Sequence, residues 1–152
     1  MINSSICYIE KDGKYLMLHR TKKEKDINKD KWIGIGGKFE DKESPEECII
    51  REVMEETGLK LNTYTLRGIV TYVSINWETE YMYVFTSDDF CGQLIECNEG
   101  DLHWIDKDKI FDLNLWEGDK IFLRKLQEDD KFFSMKFEYD GDNLLKYSTN
   151  EY

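Results

Sequence analysis

Apolar and polar residues alternate most regularly near the end of the chain. Phe133, Met135, Phe137 and Tyr139 face one way and Ser134, Lys136 and Glu138 the other, the period-two pattern of a strand with one buried face. Asp140-Gly141 then predicts a turn, followed by a last strand near residues 144–147. At the other end, apolar runs at 6–9 and 15–18 flank Lys11-Asp12-Gly13-Lys14 and predict a hairpin. A polar loop over 21–31 leads to a glycine-rich strand at 32–37. After it the period changes from two to 3.6. Ser44 reads as a helix N-cap, Pro45 takes the first helical position, and Glu47 completes a capping box. Gly58 supplies the stop. Within this helix Ile49, Ile50, Val53, Met54 and Thr57 form the predicted core stripe. Further strands are predicted at 66–73, 80–86, 94–96 and 102–105, and a second helix over about 116–127, where Phe122, Leu123 and Leu126 recur at helical spacing. With no repeat, low-complexity tract or proline-rich linker, residues 1–152 read as one mixed α/β domain.

Composition narrows the function classes. The longest apolar run, residues 81–85, is five long, against the roughly 18 needed to span a membrane. Met1-Ile2-Asn3-Ser4 begins no basic-then-apolar secretory signal, so a cytoplasmic protein is expected. Cys7, Cys48, Cys91 and Cys97 have no CxxC spacing and are expected as free thiols. The net charge of −11 argues against duplex nucleic acid as partner. It leaves room for a small anionic ligand if a cation lies between the two.

The helix at 45–57 is more acidic than a structural role warrants. Glu52, Glu55 and Glu56 fall within about a quarter turn of one another. Such like-charged neighbours repel by roughly 0.2–0.5 kcal/mol per pair, and carboxylates in a last turn oppose the helix dipole. A solvated acidic face is the ordinary reading of glutamates on a helix. Clustered carboxylates also suit Mg²⁺ or Mn²⁺ as hard oxygen ligands, and Arg51 suits the orientation of one of them.

Spacing makes the pattern specific. Gly37, five residues, Glu43, seven residues, Arg51-Glu52-Val53, one residue, Glu55-Glu56, one residue and Gly58-Leu59 is the signature of the Nudix hydrolases, which this chain resembles at every position of the 37–59 box. The resemblance implies a Nudix-type α/β/α sandwich with a mixed β-sheet. It implies hydrolysis of a nucleoside diphosphate linked to a further group, with Mg²⁺ (or Mn²⁺ in its place) as cofactor. It assigns Glu52, Glu55 and Glu56 as metal ligands, with the Gly36 carbonyl able to reach the metal and Arg51 in support. The general base stays open among these carboxylates and one from a distant loop. Glu99 is similar to the family's additional metal-side or base glutamate, with Glu96 as the alternative and a solvated loop acid as the plain reading.

Outside the box the chain resembles the MutT-related bacterial 8-oxo-dGTP diphosphatases, of the MutX type. The matching pieces are Ile6-Cys7-Tyr8-Ile9, Leu18-His19-Arg20, residues 31–38 with Trp32 at their start, Cys97-Asn98-Glu99-Gly100, Trp116-Glu117-Gly118-Asp119, and residues 131–133 and 139–142. This implies conversion of 8-oxo-dGTP to the monophosphate and pyrophosphate, keeping oxidised guanine out of DNA. The alternatives are a Nudix hydrolase of dGTP, an oxidised dATP or a nucleotide sugar, and a catalytically dead nucleotide-binding module. The expected substrate contacts are Trp32, Trp116 as a stacking surface, Asp119 as an acceptor for base N–H groups, and Arg20 and Lys38 for phosphate. Trp116 and Asp119 also read as an ordinary helix start. The lysines of the 21–31 loop, interleaved with acids, read as a solvated loop. Ile33 stands where several relatives carry an amide, and Gly118 where they carry an acid, so the nucleotide itself stays open, as does monomer against homodimer.

Overall fold

β1 (Ile2–Lys11) shows why both faces of the sheet must be covered. Its side chains alternate between two separate cores, Ile6 and Tyr8 entering one, Cys7 and Ile9 the other. The computed structural model, which describes residues 1–152, places β1 centrally in a nine-stranded sheet. The order is β3 (Trp32–Ile33), β2 (Lys14–His19), β1, β6 (Trp77–Gly92), β5 (Leu59–Ser74), β8 (Phe133–Asp140), β9 (Asn143–Glu151), with β4 (Ile35–Lys38) paired to β1 and β7 (Asp101–Asp106) to β2. The sheet is mixed: β1 runs parallel to β6 and β5 to β8, and the other pairings are antiparallel.

α1 (Pro45–Thr57) covers one face, where Ile49 and Val53 meet Cys7, Ile9, Ile35 and Phe85. α2 (Glu117–Glu128) covers the other, with Phe122, Leu123 and Leu126 against Tyr8, Val70, Val84 and the β8 row Phe133, Met135, Phe137 and Tyr139. This is the expected α/β/α sandwich. The alternating tail buries those four β8 residues as its pattern requires.

α1 begins and ends as read from sequence. The Ser44 hydroxyl accepts from the Glu47 N–H at 3.1 Å, and the Glu47 carboxylate accepts from the Ser44 N–H at 3.0 Å. Gly58 closes the helix in the left-handed region at φ 78°, where a side chain is disfavoured.

Three expectations need correction. No strand forms at 94–96; the Ile95 N–H instead bonds the Thr57 carbonyl at 2.9 Å, so this segment finishes α1 rather than extending the sheet. β5 and β6 are each 16 residues, far longer than predicted, because they pair with each other through several register shifts that absorb their irregular polar positions. The buried stripe of α1 is also displaced. Ile50 and Met54 are exposed, while Glu56 lies inside at 7% exposure. The carboxylate is buried because β4 passes beside it, and the Gly36 N–H lies 3.3 Å from its Oε2. No helix is long and apolar enough to cross a membrane.

The capping box gives the first expected outcome. Ser44→Ala leaves the Glu47 N–H without its partner at the start of α1, which should cost about 1 kcal/mol and lower Tm by roughly 3 °C. A thermal melt checks this, and the carboxylates one to three turns further along should hold their geometry.

Candidate active site

Arg51, at the middle of α1, organises the acidic side chains around it. Its Nε and Nη2 meet the two Glu43 oxygens at 2.7 and 2.8 Å, a bidentate pair. Nη1 donates to Glu52 Oε1 at 2.8 Å and Glu55 Oε2 at 3.2 Å, and Nη2 also reaches the Lys38 carbonyl at 3.1 Å. The hydrogen bonds from Arg51 hold Glu43 down at about 2. Glu52 moves the other way, because burial raises it more than Arg51 lowers it.

Gly37 explains how Glu52 comes so close to β4. A Cβ at Gly37 would stand 2.6–2.7 Å from the Glu52 carboxylate. A side chain there would push the Glu52 carboxylate from its present position.

Glu56 and Glu99 form a second pair. Burial raises the Glu56 carboxyl well above the ordinary range, and the adjoining Glu99 raises it further. Glu99 is lowered: burial alone would raise it, but Glu56, Arg20 and Lys23 outweigh that. The two neighbouring carboxyl groups are thus pushed in opposite directions. Arg20 grips this arrangement from the other side, with Nε 2.7 Å from Asp26 and Nη1 2.8 Å from Glu99. Glu96 is 90% exposed and does not line the cavity, whereas Glu99 does, so Glu99 is the loop acid that reaches the site.

These groups line one end of a cavity of about 830 Å³. Arg20, Gly36, Lys38, Arg51, Glu52, Glu55, Glu56, Glu99, Trp116 and Asp119, ten of the expected site residues, all border it. Trp32 does not. Its ring stacks on His19 at 4.4 Å and leans on His103 at 5.5 Å, which places it in the wall behind Ile33. Arg20 borders the cavity with its Nε and Nη1 engaged by Asp26 and Glu99.

The other end of the cavity is aromatic. Trp116 precedes α2, edge-on to Tyr139 at 5.7 Å, and its indole N–H donates to Asn28 Oδ1 at 2.8 Å. Asp119 is 3% exposed, and the Tyr72 hydroxyl donates to it at 2.6 Å. Burial pushes its carboxyl up to about 7, against the opposing Tyr72 bond. Gly118 has a structural reason: its N–H meets the Tyr139 hydroxyl at 2.7 Å, and a Cβ there would stand 2.7 Å from that oxygen and 3.0 Å from the Phe137 ring. An acid at 118 has no room.

Sequence reasoning missed Tyr72, Asn28 and Glu80 as cavity residues. Tyr72 and Glu80 lie on strands whose alternation revealed burial and not the pocket. Asn28 lies in the polar loop that reads as solvated.

The NUDIX domain pattern matches residues 2–126. The chain belongs to the NUDIX domain family. It is 32% identical over 112 residues to an uncharacterized Nudix hydrolase, YvcI, of Bacillus subtilis, covering 70% of this chain and 67% of that protein. It is 30% identical over 130 residues to an oxidized purine nucleoside triphosphate hydrolase of Mus musculus, covering 85% and 83%. The crystal structure of a MutT protein from Bacillus halodurans superposes with a TM-score of 0.89 at 26% identity, over 99% of this chain and 98% of that one. This is a MutT-type Nudix hydrolase, a class that acts on phosphoric anhydrides of small nucleotides and generally uses divalent metal ions.

The donor set fits such an ion. All candidate ligands are hard oxygens, and the buried Glu56 beside the half-buried Glu99 is a pair of carboxyl groups whose mutual repulsion a divalent cation relieves. No three acidic, histidine or cysteine side chains are gathered to ligand distance, because Arg51 draws Glu52 and Glu55 toward itself.

Asp119 gives a pH dependence. Between its ordinary value of 3.8 and about 7 the folded chain holds a proton at Asp119 that the unfolded chain releases. Stability from this group is therefore fullest at low pH, falls as pH rises through that window, and is flat above it. Asp119→Asn should show a smaller fall in Tm between pH 5 and pH 8 than the parent; an identical fall in both proteins would count against the shift.

Proposed function

We propose that residues 1–152 form one Nudix hydrolase domain that converts 8-oxo-dGTP and water to 8-oxo-dGMP and pyrophosphate in the cytoplasm, a sanitation of the nucleotide pool. The observation that carries this reading is the continuity of one cavity from the box carboxylates to the Trp116–Asp119 end. A nucleoside triphosphate has the same two-ended chemistry, an anionic chain joined to a flat heterocycle. The mouse relative's name, oxidized purine nucleoside triphosphate hydrolase, supports the choice of substrate.

The box end binds the phosphates. Mg²⁺, or Mn²⁺ in its place, held by Glu52, Glu55, Glu56, Glu99 and the Gly36 carbonyl, would neutralise phosphate oxygens and acidify water. Arg51 keeps Glu52 and Glu55 on one side of α1 and ties α1 to Glu43 in the preceding loop. Arg20 holds Glu99 in place, and the proton released as water attacks phosphorus goes to one of the box carboxylates or to this loop acid. Lys38 borders the cavity beside the glycines, as Lys23 and Lys25 do from the 21–31 loop, and its role is to meet phosphate.

The far end binds the base. Trp116 offers its ring as a stacking surface, and Asp119, whose carboxyl lies near neutrality, faces base N–H groups. The β8–β9 tail contributes Tyr139 and Gly141 to the lining, so the strands beyond residue 126 belong to the same working unit.

Turnover of a nucleotide panel with Mg²⁺ is the test. We expect 8-oxo-dGTP to have the highest kcat/KM, Glu56→Gln to reduce kcat by roughly 100-fold or more with Tm little changed, and Trp116→Ala to raise KM more than it lowers Tm. Full activity in Glu56→Gln would remove the carboxylate assignment. Another nucleotide in first place would remove the sanitation role and leave the hydrolase.

A further inference from the structure

The aromatic end of the cavity carries polar atoms that the protein does not satisfy. Asn28 is one source. The Trp116 indole N–H can only donate, so the amide oxygen of Asn28 must face it, at 2.8 Å, and the NH₂ group is turned away. That NH₂ makes no hydrogen bond within the protein, although Asn28 borders the cavity. The loop around it is held in place, since the Asn28 backbone N–H bonds Asp26 Oδ1 at 3.0 Å and Asp26 is itself fixed by Arg20. The donor is thus held at the cavity border before any ligand arrives.

Glu80 is the other source. It pairs across β5–β6 with Tyr72, so both side chains leave the same face of the sheet, and Tyr72 is the residue that bonds Asp119. The Ser4 hydroxyl donates to Glu80 Oε2 at 2.6 Å, leaving Oε1 without a protein partner. Its charge is felt at Asp119, where it adds to the rise of that carboxyl. Ile33, also on this wall, has nothing to hydrogen-bond with.

We propose that Asn28 and Glu80 are specificity-determining residues which, with Asp119, present one donor and two acceptors to a purine edge bearing a 6-carbonyl, an N1–H and a 2-amino group. This rests on the nucleotide-hydrolase reading above and deepens it. A guanine-type base matches the set: its carbonyl takes the Asn28 N–H, and its two N–H positions meet Asp119 and Glu80. Adenine sets an amino group against the Asn28 donor. Hypoxanthine lacks the 2-amino group and leaves one carboxylate unmatched. The edge read in this way does not include C8, so these two residues select guanine over other bases in oxidised and ordinary nucleotides alike.

The test compares kcat/KM for dGTP, dITP and dATP, which share the same C8–H. The expected order for the parent is dGTP, dITP, dATP. Asn28→Asp keeps an oxygen for the indole and replaces the donor with an acceptor. It should lower dGTP and dITP turnover by roughly 10- to 100-fold while narrowing the dGTP to dATP ratio by at least about 10-fold. Trp116→Phe keeps a ring but frees the amide to flip, and should narrow that ratio in the same direction. Glu80→Leu should abolish the gap between dGTP and dITP and leave dITP near its parental value. A parent that does not separate dGTP from dITP overturns the proposal, as do ratios in Asn28→Asp or Glu80→Leu within twofold of the parent. Failure to hydrolyse any of the three is instead a failure of the hydrolase reading. Calorimetric binding of dGMP, dIMP and dAMP then reads the same three ratios without turnover.

Discussion

The Arg51 guanidinium is the contact on which the site depends. Three glutamates on one helix face, two of them in the last turn, work against the helix that carries them, at a few tenths of a kcal/mol per like-charged pair. Arg51 reverses that balance. It sits among Glu43, Glu52 and Glu55 with four contacts of 2.7 to 3.2 Å, and it is shielded enough, at 21% side-chain exposure, for those bonds to count. Charge-assisted bonds in a bidentate fork are the strong kind, and they bring opposite charge between the carboxylates that repel. The same guanidinium ties α1 to the loop before it through Glu43 and to β4 through the Lys38 carbonyl. A lysine could hold one of these partners, not the fan, because it lacks the planar fork of donors.

The fold sets the positions that Arg51 then stabilises. Because β1 and β6 feed both cores, α1 and α2 lie on opposite faces of one sheet. The cavity is bordered by residues of both helix ends, by β4, and by the edges of β5 and β6. An acidic helix face and an aromatic helix start, Glu52 to Glu56 and Trp116, distant in sequence, are thereby brought to one space. β8 and β9 extend the α2 side of the sheet and place Tyr139 against both Gly118 and Trp116. That contact accounts for the glycine at 118, which sequence alone presented only as a departure from relatives.

The legible parts of this chain were those where a local rule and the tertiary structure agree. The capping box, the Gly58 stop and the Phe133 to Tyr139 alternation each declare themselves within a few residues, and each formed as read. The box was legible because its spacing is fixed, and ten site residues named from sequence border one cavity. The misreadings share a different cause. The helical wheel sets Glu56 on the side away from the core stripe, yet it is buried by β4, a strand whose position no wheel contains. Trp32 was read with the glycines beside it, but strand alternation turns its ring to the His19 side while Ile33 faces the cavity. Residues 94–96 were read as a strand from apolar content, and their backbone is instead drawn to the end of α1.

Charge bears on the same lesson. A total of −11 describes the surface and is silent about how carboxylates are engaged. At the box end they come in two kinds: those neutralised by a guanidinium, as Glu43 is, and those that press on each other's charge, as the raised Glu56 and the lowered Glu99 do. At the base end Asp119 is neither. It has a hydroxyl donor in Tyr72, an acidic neighbour in Glu80, and a carboxyl that changes charge near neutral pH. A ligand that brings N–H groups to this wall supplies hydrogen bonds to carboxylate oxygens that the protein leaves only partly satisfied. The cost of burying Asp119 is thereby offset in the complex and not in the free protein, which makes selectivity a property of the unsatisfied groups and not of the shape of the cavity alone.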